Sequence, residues 1–131
     1  MKFSLIVLGA PGTHQCTQTA LAFAKAAVAA QHSIYRIFFY HDGVHNGSTL
    51  TTPPQGEVNY PSEWHELAKE NNIDLVACIA SALRRGVINR EEADRFEKPT
   101  ANLDEPAFDL SGLGLLVDAT ENSDRIITFG N

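Results

Sequence analysis

The chain is poor in cysteine, in basic residues and in long apolar runs, and each shortage narrows what it can do. It has two cysteines, Cys16 and Cys78, in 131 residues. They lie far apart and form no C-x-x-C pair, so neither a disulfide framework nor a cysteine-based zinc site is expected. Two unpaired thiols suit a reducing cytosol, and a cytoplasmic protein is the expectation. Ten Lys and Arg stand against 16 Asp and Glu, for a formal charge of −6. Nucleic acid is a poor direct partner for such a surface, because phosphate binding needs clustered cations. Only Arg84–Arg85 is locally basic. No run approaches the roughly 20 apolar residues of a membrane span. The opening "MKFSLIVLGAPG" has a short apolar run that meets Pro11-Gly12 at once, with no A-x-A-like cleavage site. It reads as a buried first strand rather than a signal peptide.

Hydrophobic residues make up 44% of the chain, enough for a core and too many for a disordered segment. The length suits one domain over residues 1–131. "FSLIVL" (Phe3–Leu8) is a buried-strand pattern, and the Ala-rich run from Thr17 to Ala30 is a helix, with Thr13 or Thr17 as cap. "SIYRIFFY" (Ser33–Tyr40) is a second strand, so the start has the βαβ pattern of a parallel sheet. His41 to Pro61 reads as a long loop, which usually marks a functional or interacting segment. Ser62 is expected to cap a helix running to about Asn71. Asp74–Cys78 is a third strand, followed by a short helix Ile79–Arg85 that Gly86 ends. Asn89 caps another helix to Glu97, a short strand falls near Phe108, Ser111 caps the last helix, and Asp124–Phe129 is the closing strand. The expected fold is a Rossmann-like or flavodoxin-like α/β sandwich: a mostly parallel sheet of four or five strands with helices on both faces. In such sheets reactive groups gather beyond the carboxyl ends of the strands. That rule points to Gly9–Cys16, to His41–Pro61 and to Cys78.

Cys78 falls where a strand becomes a helix. Unpaired N–H groups and the helix dipole favour negative charge at such a junction, and the thiolate is the nucleophilic form of cysteine. The plainer reading is a small buried hydrophobe, and position alone leaves the two in balance. Arg84 and Arg85 are poor partners for the thiol, since Arg85 is about 10 Å further along an ideal helix. They suit carbonyls at the helix C-terminus or a facing protein. Cys16 is another helix-start residue, better read as packing than as a second reactive thiol. His41, Asp42 and His45 could ligate a metal, but their spacing fits no tight motif, and solvated or interface residues are the better reading. "GAPGTHQ" follows a strand as a phosphate loop would, yet no Lys follows it. "SGLGLLV" has Val117 where G-x-G-x-x-G needs its third glycine. No general base stands out for a Cys hydrolase. No metal or cofactor is expected.

Five segments together are familiar: "FFYHDGV" (Phe38–Val44), "LTTPP" (Leu50–Pro54), "CIASALRRGV" (Cys78–Val87), "SGLG" (Ser111–Gly114) and "DRIITF". In order and spacing the chain resembles the DsrE/TusD family of small sulfur-relay proteins, its TusD branch above all, over essentially its whole length. The resemblance implies a sulfurtransferase whose Cys78 carries persulfide sulfur. It implies assembly with TusB-like and TusC-like subunits as a dimer of heterotrimers. It further implies a TusA-like donor and a TusE-like acceptor, with the sulfur reaching 2-thiouridine at the tRNA wobble position. In the Dsr branch a related complex serves dissimilatory sulfur oxidation, and some subunits only build interfaces. Tyr40, His41 and Asp42 are candidates to line the site. Cys16 and the "GAPGTHQC" loop stand outside the family pattern.

Overall fold

The computed structural model describes residues 1–130. In chain order its elements are β1 (Lys2–Val7), α1 (Cys16–Ala29), β2 (Ser33–Phe39), a 3-10 helical turn (His41–Gly47), α2 (Tyr60–Asn71), β3 (Asp74–Cys78), α3 (Ile79–Arg84), α4 (Arg90–Arg95), β4 (Phe108–Ser111), α5 (Gly114–Glu121) and β5 (Arg125–Phe129). The strands form one sheet in the order β4-β3-β2-β1-β5, and every neighbouring pair is parallel. This is the expected α/β architecture, with five strands.

Successive strand residues point to opposite faces, so each strand serves two cores. Leu5, Val7, Ile37, Phe39, Leu75 and Ala77 face α1 and α2, where Ala20, Leu21, Ala24, Trp64 and Leu67 complete the main core. The small side chains of α1 let that helix lie close to the sheet. Phe38, Val76 and Cys78 face the other way, into a much smaller cluster closed by Tyr40 and by Leu115 and Leu116 of α5.

Several caps differ from expectation. Gln15 precedes α1 without a side-chain cap, and Thr17 instead donates its hydroxyl to the Gly9 carbonyl at 2.8 Å. Asn59, not Ser62, caps α2: its side chain accepts from the Ser62 N–H at 3.2 Å. Pro61 then falls in the first turn, where its missing N–H breaks no bond. Ser111 does not cap α5 but ends β4, and α5 starts three residues later, at Gly114, behind an uncapped Leu113. The segment read as a loop from His41 begins as a 3-10 helix. Asn89 does cap α4, accepting from Glu92 N–H at 2.9 Å, and Gly86 leaves α3 with φ +74°.

Two polar centres hold the layers in place. The first is Asn46, fully buried in the 3-10 turn. Its amide donates to the carbonyls of Gly9 (3.2 Å) and Gly43 (2.9 Å) and to Thr17 Oγ1 (3.2 Å). Its oxygen accepts from the Trp64 indole at 3.0 Å. One side chain thus joins the β1–α1 loop, α1, the 3-10 turn and α2. The second is Arg36 on β2, 8% exposed. It bonds Asp74 Oδ2 (2.5 Å), Asp118 Oδ2 (2.8 Å) and the Leu115 carbonyl (2.7 Å), so it latches α5 to the sheet. Tyr35 donates its hydroxyl to the same Asp118 oxygen at 2.7 Å. That bond first, and the Arg36 guanidinium after it, holds the Asp118 carboxyl below the ordinary carboxylate range.

Asn46→Ala would leave the Trp64 indole N–H and two backbone carbonyls buried without this partner. We expect a loss of about 2–4 kcal/mol in urea unfolding; a loss below about 1 kcal/mol would show that the hub is dispensable. For Asp118 the folded value lies below the unfolded one. Its contribution is complete above the ordinary carboxylate range and is lost as pH falls through the folded value. Asp118→Asn should therefore destabilise at pH ~7 and lose most of that penalty near pH ~3, read from denaturation midpoints. An equal penalty at both values would contradict the latch.

Candidate functional site

The sequence "DLVACIASALRR" changes character at Cys78. Branched apolar residues before it suit a buried strand, and Ala, Leu and Arg after it suit a helix. The chain passes from β3 to α3 without a loop. Cys78 is the extended residue at the helix entrance (φ −61°, ψ 122°), and no side chain caps the first turn. The residue is 4% exposed in the subunit. Among the described residues no side chain hydrogen-bonds its sulfur.

The sheet register sets its neighbours. β2 pairs Phe38 with Val76 and Phe39 with Ala77, so one further step brings Tyr40 beside Cys78. Tyr40 packs on the Phe38–Val76–Cys78 cluster, with its ring 6.1 Å from that of Phe38. On the other side Ser111, the last residue of β4, is the direct register partner of Cys78. Leu115 and Leu116 close the same cluster from α5.

The segment after Tyr40 is tied to α3. His41 has a left-handed backbone (φ +50°), its ring centroid is 4.3 Å from that of Tyr40, and its N–H donates to Ser81 Oγ at 3.2 Å. Asp42 accepts from Arg85 Nε at 2.7 Å, and Arg85 also donates to the Ser81 carbonyl at 3.1 Å. The hydrogen bond from Arg85 holds the Asp42 carboxyl below its usual range. Gly43 makes the turn possible: a Cβ there would fall 2.0 Å from the Val7 carbonyl oxygen. Arg85 therefore serves the end of its helix, as the sequence suggests, and also the residues beside Cys78. Arg84 is exposed.

Tyr40, His41 and Asp42 thus come to the same corner as Cys78, with Tyr40 packed on its cluster and the other two on the outer side. Cys16 is 8% exposed and seated on Gly9, where an added Cβ would fall 2.1 Å from its sulfur. This is a packing role. A cleft of about 650 Å³ lies between the β1–α1 loop and residues 51–60, lined by Gly12, His14, Gln15, Thr52, Pro54 and Tyr60 among others. Neither Cys78 nor residues 40–42 line it. Among the described residues, no group of three or more His, Cys, Asp or Glu is arranged to hold a metal ion, and no helix is long and apolar enough to cross a membrane. Sequence reasoning missed Ser111, Ser81 and the Asp42–Arg85 pair. Ser111 could have been found by carrying the strand near Phe108 forward in register with Asp74–Cys78; the other two depend on a turn that has no sequence signature.

The arrangement is a single thiol at a strand–helix junction, walled by apolar side chains and covered by a segment clamped through Ser81 and Arg85. Sulfur exchange needs a thiolate and access, and the fold provides a rigid mount with a cover. A hydrolase would need a base bonded to the sulfur, which this arrangement lacks. If the clamp limits access, Arg85→Ala in a Cys16→Ser background should alkylate at Cys78 about threefold faster or more, measured with iodoacetamide. An unchanged rate would show that residues 40–42 do not limit access.

Comparison with known proteins agrees with this architecture. A family model described as "DsrE/DsrF-like family" matches residues 1–129. A putative sulfurtransferase DsrE of Allochromatium vinosum is 46% identical over 131 residues, spanning the whole of both chains. A sulfurtransferase TusD homolog of Pseudomonas aeruginosa is 46% identical over 130 residues, covering 99% of this chain and 98% of the relative. The sulfurtransferase TusD of Cronobacter sakazakii is 45% identical, covering 98% of this chain and all of its own. The crystal structure of the ychN protein from E. coli shares the fold, with a TM-score of 0.76 at 22% identity over 98% of this chain and 100% of that one. Matched by the family model from residue 1 to 129, and by full-length relatives at 46% identity, the chain belongs to the DsrE/DsrF-like family.

Proposed function

We propose that this chain, working as one domain over residues 1–131, is a sulfurtransferase subunit of a sulfur relay, and that Cys78 is the residue that carries the sulfur. The observation that carries the reading is the position of Cys78. It ends the third strand, at the edge of the sheet where α/β proteins collect reactive groups, and it stands in a family whose curated relatives are named sulfurtransferases.

The chemistry is thiol–persulfide exchange. The Cys78 thiolate attacks the terminal sulfur of a donor persulfide, R–S–SH. A new S–S bond forms to Cys78, the donor's S–S bond breaks, and R–S⁻ leaves with the bonding pair. Cys78 then holds –S–SH, and an acceptor thiolate repeats the attack on its terminal sulfur and releases the Cys78 thiolate. No net oxidation occurs, and no metal, nucleotide or general base is called for. The apolar wall of Phe38, Val76, Leu115 and Leu116 limits water around the sulfur, and the rigid end of β3 fixes it for two successive partners. Tyr40, His41 and Asp42 form the rim that those partners meet.

We assign the donor to the TusA-like class and the acceptor to the TusE-like class, with TusB-like and TusC-like subunits completing a dimer of heterotrimers and the sulfur destined for 2-thiouridine at the tRNA wobble position. The charge of −6 favours protein partners over direct contact with tRNA. Two unpaired thiols are in keeping with a cytoplasmic setting. A second reading, a DsrE-like subunit in dissimilatory sulfur oxidation, is favoured by the Allochromatium relative, which is as similar as the Pseudomonas one at 46%. A non-catalytic interface subunit is favoured by the 4% exposure of Cys78.

Intact and peptide mass spectrometry after incubation with a persulfide-loaded donor should find one added sulfur on Cys78. It should be absent in Cys78→Ser, kept in Cys16→Ser and discharged by an acceptor thiol. If Cys78 stays bare with partner subunits present, the interface reading replaces this one. If the sulfur sits on Cys16, the wrong helix entrance has been chosen.

A further inference from the structure

We infer that the hydroxyl of Ser111 donates a hydrogen bond to the outer sulfur of Cys78 during exchange, which makes Ser111 a catalytic residue; the inference rests on Cys78 being the sulfur carrier. β3 and β4 are parallel, and Cys78 and Ser111 are direct register partners. Neighbouring strands lie about 4.8 Å apart, and paired residues project from the same face. That face is the one closed by α5, since Val76 and Cys78 are buried there with Leu115 and Leu116.

The buried polar side chains of this chain are engaged. Among the described residues no buried side-chain nitrogen or oxygen lacks a hydrogen-bond partner. Ser4 bonds Ser123 at 2.6 Å, Ser48 takes Asn102 at 3.1 Å, and Ser81 takes the His41 amide at 3.2 Å. Ser111, half-buried beside the thiol, has a hydroxyl with no partner among the described residues. It makes no bond to the resting sulfur either. Persulfidation changes the demand: the outer sulfur extends about 2 Å beyond Sγ, and once the –S–SH group loses its proton that sulfur carries negative charge. Of the side chains around it, Phe38, Val76, Leu115 and Leu116 offer that charge nothing, and the uncapped first turn of α3 presents backbone N–H groups alone. An anion against apolar walls requires a donor. The side beyond Ser111 is also open, because Cβ atoms built at Gly112 and Gly114 would meet no atom within 4 Å. Tyr40 bears the other hydroxyl in the adjoining strand's extension, but its oxygen lies a ring's length from the backbone. The Ser111 Oγ lies one bond from Cβ, at the height of the cysteine.

The same hydroxyl is available in both half-reactions. On loading it meets the sulfur arriving at Cys78, and on discharge its proton offsets the charge on that sulfur, which would otherwise repel the acceptor thiolate. A threonine keeps the hydroxyl and an alanine removes it. In a Cys16→Ser background, inorganic polysulfide would load Cys78 directly and glutathione would discharge it, with mass spectrometry following both. Ser111→Ala should slow each half-reaction about tenfold, the size of one hydrogen bond to a charged group. Ser111→Thr should restore most of the rate, with all three proteins unfolding at the same urea midpoint. Alanine rates equal to wild type in both half-reactions would overturn the inference. If polysulfide loads Cys78 with the alanine defect but a protein persulfide donor does not load it, the relay reading fails and the Ser111 inference stands. If polysulfide loads no variant, both fall.

Discussion

The position of the thiol depends on the register of one strand. In a parallel sheet a slip of one residue turns every side chain to the opposite face. β3 is held on both sides, Asp74 to Ala77 by β2 and Leu75 to Cys78 by β4. Its register puts Leu75 and Ala77 into the main core and Val76 and Cys78 against α5. Shifted by one, Cys78 would point into the packed interior under α1 and α2, where no partner could reach it. Because both faces of β3 are buried and apolar, packing rather than polarity forbids that shift: it would exchange Leu75 and Ala77 for Val76 and Cys78 in a close-packed core. The site's geometry is thereby a by-product of core packing, and the residues beside the sulfur, Tyr40 and Ser111, follow from the same pairing.

The two faces are stabilised by different physics. Under α1 and α2 the main core is broad, and the buried Asn46 ties its loops by four hydrogen bonds. Under α5 the apolar cluster is small, and the helix is held by charge: Arg36 to Asp74 and Asp118, with Tyr35 on the same carboxylate. Asp109 adds strain to that face. Burial, and then the nearby Asp74 charge, pushes its carboxyl above the ordinary range. A carboxyl whose folded value is raised above the unfolded one costs the fold stability once it ionises, opposite in sign to Asp118. The Cys78 side of the sheet is therefore the less firmly packed one. Leu113, just before α5, and Val117 within it remain 48% and 57% exposed.

The strands, the helices and their order were legible because apolar runs, alanine stretches and turn residues are local signals. The strand–helix junction at Cys78 was legible for the same reason. Caps were read less well. Ser62 and Ser111 sit where a cap belongs by residue type, but Asn59 captured the first role, and β4 continued through Ser111 to pair with Cys78. The short strand near Phe108 was legible, but its extension to Ser111 was not, because four residues leave too short a pattern to fix where the strand ends before its partner is known. The clamp over the site was hidden for another reason. Asp42 and Arg85 are far apart in sequence and meet only after the 3-10 turn has folded over β1, which requires the absence of a side chain at Gly43.

A thiol that is 4% exposed and the sulfur-carrying role proposed for it look incompatible, but the incompatibility is only one of populations. A persulfide open to every passing thiol would be discharged at random, so a relay gains from a closed resting state. Each 1.4 kcal/mol of opening cost reduces the open fraction about tenfold, and a partner that binds the open form recovers that cost in proportion to its preference for it. The cover over Cys78 suits such an exchange. Its outer part is an exposed ion pair, Asp42 to Arg85, which contributes little in water. Its inner part is the packing of Tyr40 on the Phe38–Val76–Cys78 cluster, which a docking surface could replace with its own apolar contact. The main core under α1 and α2 need not move at all. Access to the sulfur can therefore change while β3, the element that aims it, stays fixed.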